Sequence, residues 1–185
     1  MRFVLASKSP RRQELMKLIS SDFVIAVEDI DEESSYRLSP IEAVKDIAKR
    51  KGEAVYNSYP DDLVISADTI VVLNNEIIGK PKDKEDAFNI LRKLSGKTHY
   101  VYTGFAIHNK NKTIVKVVES KVEFNKLSDE LIELYIESGS PLDKAGAYGV
   151  QDNDKFPIIK NIVGSINNVI GFPVEEIKEE IIKII

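Results

Sequence analysis

Two guanidiniums stand where a helix start prefers carboxylates. In Ala6-Ser7-Lys8-Ser9-Pro10-Arg11-Arg12, Ser9 can cap a helix and Pro10 suits its first position. Arg11 and Arg12 then fall at the second and third helical positions, where unsatisfied N–H groups already make the end positive. An anion would relieve that conflict. Ser7, the backbone N–H groups and two guanidiniums together could hold a phosphate. The plainer alternative is a solvated helix start with surface arginines.

Asp68 and Thr69 interrupt an apolar run, Leu63-Val64-Ile65-Ser66-Ala67 before and Ile70-Val71-Val72-Leu73 after. A carboxylate buried there is costly unless it meets a partner or a metal. A strand ending at Ser66 would leave Asp68 in a solvated turn, but the run continues past Thr69. Gly79-Lys80-Pro81-Lys82 follows closely and could bring an ammonium back towards Asp68, or be an ordinary charged loop. Pro141 to Gln151 is rich in small residues that let backbone approach a ligand, and it offers Lys144 and Gln151 for charge and base-edge hydrogen bonds. Asp31-Glu32-Glu33 supplies hard oxygen ligands suited to Mg²⁺ or Mn²⁺, although acidic runs are more often solvated loops. His99 and His108 fall in strands and read as packing or surface residues.

The elements that must position these groups follow from periodicity and caps. Strands are expected at Phe3 to Ala6, Asp22 to Val27, Leu63 to Leu73 and Glu76 to Ile78. Thr98 to His108 and Thr113 to Phe124 form a hairpin across Asn109 to Lys112. Helices are expected over Pro10 to Ile19, from Pro40 to about Val55, over Asp83 to Leu94, from Ser128 through Glu137, and after Phe172-Pro173. Ser39-Pro40-Ile41-Glu42 has the form of a capping box, while Gly52 is expected to loosen the end of its helix. Val27 to Ser39 reads as a long acidic loop, and Gly139 to Gly149 as turn-rich. Helices interleaved with strands plus one antiparallel hairpin indicate α/β with a mixed sheet.

The bulk numbers set outer bounds. The chain has 185 residues, 43% hydrophobic, no cysteine and a formal charge of −4. That length fits a single domain, 1–185, with or without two lobes. Disulfides, thiolate metal sites and cysteine nucleophiles are excluded. The acidic balance argues against a nucleic-acid partner. No apolar stretch approaches a membrane span and the start is too short for a secretion signal, so the expectation is a cytoplasmic protein with no membrane partner.

Five segments in this order resemble the Maf family of nucleotide pyrophosphatases. They are Ser7 to Leu15, Ala67-Asp68-Thr69-Ile70-Val71, Gly79-Lys80-Pro81, Asp143 to Gln151, and Gly164-Ser165 through Asn168 to Pro173. The resemblance implies the α/β fold shared with inosine-triphosphate pyrophosphatases, an elongated mixed sheet flanked by helices, with a central cleft between two lobes. It implies hydrolysis of a nucleoside triphosphate to monophosphate and pyrophosphate with a divalent cation, and a homodimer. The general base falls on Asp68, phosphate binding on Ser7, Arg11, Arg12, Lys51 and Lys80, and the acidic metal ligand on Glu32, joined by Asp68. Asp31 and Glu33 flank that ligand position. Lys144 joins the substrate-binding set. Arg11, Thr69 and Gln151 match the branch acting on dTTP and UTP, with Thr69 and Gln151 reading the pyrimidine; the 7-methyl-GTP branch differs there. Two departures stand out: Lys8 replaces a small residue, and Asp152-Asn153-Asp154-Lys155 is more charged than the usual loop. The rival readings are the same reaction on 7-methyl-GTP, and a nucleotide-binding regulator of septum formation without catalysis.

Overall fold

The structure is a computed structural model and describes residues 1–184. Its elements in chain order are β1 (Phe3–Leu5), α1 (Pro10–Met16), β2 (Phe23–Ile25), α2 (Pro40–Tyr56), β3 (Leu63–Leu73), β4 (Glu76–Ile78), α3 (Lys84–Leu94), β5 (Thr98–His108), β6 (Thr113–Phe124), α4 (Asp129–Glu137), β7 (Ile159–Val163), α5 (Ile166–Ile170) and α6 (Val174–Ile182). The sheet has the order β2-β1-β3-β5-β6-β7, with β4 paired to β3 off that path. β1 is parallel to both β2 and β3, whereas β3–β4 and β6–β7 are antiparallel. This is the expected mixed α/β sheet flanked by helices.

The chain forms two compact units. The first comprises Met1–Thr69, Tyr102–Val118 and the residues from Asn167 on; the second comprises Ile70–Val101 and Glu119–Ile166. The chain passes between them inside β3, β5, β6 and α5.

In the first unit the inner strands are buried on both faces, so their sequences read as continuous apolar runs. Leu5, Leu63, Ile65 and Ala67 face one cluster with Met16, Phe105, Phe172, Ile177 and Ile181. Their sequence neighbours Val4, Ala6 and Val64 face the other way, against Val55 of α2. α2 begins with the expected cap, as the Ser39 side chain accepts from the Glu42 N–H and Pro40 opens the helix. Ser66 Oγ of β3 donates to the Ala48 carbonyl at 2.6 Å and ties the helix to the sheet. Gly52 does not loosen this helix, which runs on to Tyr56. It is a contact point instead: a Cβ there would lie 2.5 Å from His108 Nε2 and 2.6 Å from Ser66 Oγ.

The other differences from the sequence reading are local. α1 stops at Met16, three residues before Ile19, in a run of turns. The acidic stretch is not all loop, since Glu33–Arg37 forms a 3-10 turn. β7 and α5 are additions that the periodicity did not suggest.

The second unit has an aromatic centre. His99 is buried, stands edge-on to Phe124 and Tyr148, and shares a 2.7 Å hydrogen bond between Nε2 and Tyr148 Oη. Burial pushes its pKa from 6.5 down to about 4. The folded state therefore favours neutral His99. Its contribution to stability is full above pH 6.5 and is lost as pH falls from 6.5 towards about 4. The melting temperature of the wild type is expected to fall more steeply across that window than that of His99→Gln, which has no charge to gain. Parallel slopes would assign the acid sensitivity to other groups.

Candidate active site

Asp68 is a polar interruption inside β3, and it is buried with 8% exposure. The partner its burial demands is Lys51, whose Nζ donates to Asp68 Oδ1 at 2.8 Å. The same ammonium lies 2.9 Å from Glu32 Oε1. Two carboxylates from distant parts of the chain thus converge on one cationic nitrogen, carried by α2. Among the described residues no group of three or more His, Cys, Asp or Glu is arranged to hold a metal ion. A divalent cation at Glu32 and Asp68 would draw its remaining ligands from water and a bound phosphate, which is how Mg²⁺ is commonly held.

Glu32 owes its position to a clamp. It precedes the 3-10 turn Glu33–Arg37, and within that turn Ser35 is buried. Ser35 Oγ donates to Asp46 Oδ2 at 2.7 Å. Arg50 pairs with Asp46 at 2.9 Å and also donates to Ser35 Oγ. Asp46 and Arg50 lie one turn apart on α2, next to Lys51, so one helix holds both the loop and the ammonium that Glu32 meets. Tyr36, on the same turn, feels both carboxylates: partial burial first, then the charges of Asp68 and Glu32, push its phenol up to about 12.

The phosphate-type group is built on the β1–α1 connection. Ser9 occupies the N-cap position, yet its side chain makes no capping bond. Ser7 Oγ accepts from the Ser9 N–H at 3.2 Å, a local turn ahead of the helix, and no side chain caps the helix N–H groups. No acidic residue occupies the first turn of α1. Arg12 turns inward. Its Nε donates to the Gly171 carbonyl at 2.9 Å, its Nη2 to Thr69 Oγ1 at 3.3 Å and its Nη1 to Ser7 Oγ at 3.5 Å. Burial lowers its pKa, countered by Asp68 and Glu32 and reinforced by the like charge of Arg11. A guanidinium nonetheless stays protonated, so a half-buried cation stands near an acidic pair.

Lys80, Lys144 and Gln151 belong to the second unit. Lys80 follows β4 and is exposed, as is Gln151 in a short 3-10 turn. Lys144 is engaged within its own segment: Nζ donates to the Ser140 carbonyl at 2.5 Å, to Ser140 Oγ at 3.0 Å and to Asp143 Oδ1 at 2.9 Å. Gly149 makes room for it, because a Cβ there would lie 2.8 Å from Lys144 Cε. Gly146 has φ +73°, and its N–H donates to the Gly79 carbonyl at 3.0 Å, which joins this segment to the one carrying Lys80.

A family model described as Maf-like protein matches residues 2–184. The chain belongs to the Maf-like family. It is 45% identical over 170 residues to a protein of Symbiobacterium thermophilum named dTTP/UTP pyrophosphatase, covering 92% of this chain and 87% of that one. A protein of Thermotoga maritima with the same name is 43% identical over 175 residues, covering 94% of this chain and 84% of that one. Among solved structures, the HAM1 protein from Coxiella burnetii is 14% identical with a TM-score of 0.56, covering 99% of each chain. The Staphylococcus aureus Ham1 protein is 20% identical with a TM-score of 0.51, covering 68% of this chain and 73% of that one. At those identities the likeness concerns the fold alone.

The Maf-like chain brings together two groups of residues read from its sequence: Glu32, Lys51 and Asp68, and Ser7, Arg12 and Thr69. Four features of the site escaped that reading. Tyr36 and the clamp of Ser35, Asp46 and Arg50 were hidden in what looked like a solvated acidic loop and its neighbouring helix. Thr103 carried no signal, being one alternating residue of a strand; Gly171 lies in a segment that carries the resemblance, but its carbonyl is a backbone atom to which no role was attached. No helix among the described residues is long and apolar enough to cross a membrane.

Proposed function

We propose that this protein hydrolyses nucleoside triphosphates, dTTP and UTP before others, to the monophosphate and pyrophosphate. The observation that carries the reading is the convergence of Asp68 and Glu32 on one cationic nitrogen, in a chain of the Maf-like family. The names of its relatives supply the substrate preference and do not favour 7-methyl-GTP or a role without catalysis.

In this reading Asp68 orients or deprotonates a water for attack at the α-phosphorus. Ser7, Arg11, Arg12, Lys51, Lys80 and Lys144 hold the polyphosphate and balance charge on the departing pyrophosphate. Thr69 and Gln151 complete the substrate-binding set. Glu32 and Asp68 would hold a divalent cation, Mg²⁺ or Mn²⁺, which when bound polarises the phosphate oxygens. The two carboxylates suit it because they already face a single positive charge with hard oxygen donors. A cytoplasmic location and a homodimer belong to the same proposal.

The test is release of pyrophosphate from dTTP, UTP, CTP, GTP and 7-methyl-GTP in the presence of Mg²⁺ or Mn²⁺. The first two are expected to exceed the others by about tenfold or more in kcat/KM. Faster turnover of 7-methyl-GTP would overturn the substrate assignment. Tight binding without pyrophosphate release would overturn the catalytic one.

A further inference from the structure

Thr103 is fully buried in β5, and its Oγ1 donates to the Asn168 carbonyl at 2.9 Å. A threonine hydroxyl has one proton. The 2.9 Å contact between Thr103 Oγ1 and Thr69 Oγ1 must therefore run from Thr69 to Thr103. That commits the proton of Thr69, whose other acceptor in reach, the Gly171 carbonyl, is farther away at 3.5 Å. Lone pairs of Thr69 are left to face Arg12, which donates to it. The direction is fixed from end to end: Arg12 to Thr69, Thr69 to Thr103, Thr103 to the Asn168 carbonyl.

We infer that Thr103 and Thr69 are positioning residues for Arg12. Were the Thr69 proton free to turn, it could point at Arg12 and repel it; Thr103 prevents this. The result is a guanidinium tethered through Nε, Nη1 and Nη2 to Gly171, Ser7 and Thr69. Of the five N–H groups of an arginine, two then remain to meet an anion. A planar fork held this way loses little freedom when a phosphate arrives. Thr69 is also the single half-buried residue of the otherwise buried β3, so it lies at the surface the ligand would share.

This inference rests on the proposal that Arg12 binds phosphate, so the probe is inorganic tripolyphosphate, which has the charge but no base. Its binding is measured by calorimetry, independently of turnover. Thr103→Val is expected to weaken it about tenfold, in line with one misaligned charged hydrogen bond. Thr103→Ser, which keeps the hydroxyl, is expected to restore it. Both variants should leave the UTP to CTP ratio of kcat/KM unchanged. Thr69→Val, at a half-buried site, is expected to weaken tripolyphosphate binding to the same degree and serves if Thr103→Val does not fold. Unchanged tripolyphosphate binding in Thr103→Val, or a UTP to CTP ratio that shifts with that variant, would overturn the inference. Wild-type protein that ignores tripolyphosphate would remove Arg12 from phosphate binding and the inference with it. Wild-type protein that binds it yet releases no pyrophosphate from any nucleotide would sink only the catalytic reading.

Discussion

Asp68→Asn is expected to lose about 10²–10⁴-fold in turnover while melting close to the wild type. The size follows from the proposed task, because an amide neither accepts the proton of an attacking water nor carries the charge that attracts a cation. The unchanged fold follows from the contacts. Asn retains a carbonyl oxygen where Asp68 Oδ1 now accepts from Lys51, and that lysine keeps its 2.9 Å pairing with Glu32. Neither the ammonium nor the strand is left with an uncompensated charge, which is the usual cause of large losses when a buried pair is broken. The measurement is kcat with UTP beside a thermal melt. A variant that folds and keeps more than about a tenth of the activity is not missing its general base.

The largest effect on stability is expected at Gly104, where α2 lies against β5. A Cβ there would clash with the Val44 carbonyl oxygen and lie 2.8 Å from its carbon and 3.1 Å from the Lys45 nitrogen. All three are helix backbone, so no side chain can swing aside. Gly104→Ala should push α2 off the sheet at a cost of about 3 kcal/mol. For a chain of this size that lowers the melting temperature by about 6–12 °C. Gly79→Ala is the control, since nothing lies within 4 Å of its added Cβ. Equal melting of the two variants would show that α2 and β5 are not packed this closely. Because α2 also carries Lys51, Gly104→Ala is expected to slow turnover in its folded fraction as well.

Most of this arrangement is legible in the residues, for reasons that differ from place to place. β3 was readable because an inner strand buried on both faces must be apolar almost throughout, which makes Asp68 conspicuous. α2 was readable from Ser39 and Pro40, whose capping chemistry is local. β7 was not, since Ile159–Val163 is short and largely exposed, with a single buried residue at Ile159. α5 is five residues long, too short to show a period. The 3-10 turn after Glu32 hid because Ser35 is buried by Asp46 and Arg50, which lie 11 and 15 residues further along the chain. Thr103 was beyond reach for a similar reason: its acceptor at Asn168 is 65 residues away. What sequence reasoning read well was chemistry that conflicts with its immediate neighbourhood; what it missed was chemistry satisfied from afar.

The two units have a consequence for how this protein can be taken apart. Neither is a contiguous stretch of chain, and three of the four passages between them lie inside strands. No truncation of the gene encodes either unit by itself, and no single nick releases one. Half of the protein cannot be inherited, fused or secreted without cutting β3, β5 or β6. The residues of the proposed site therefore travel together: Asp68 and Thr69 close one segment of the first unit, and the residue that follows them already belongs to the second.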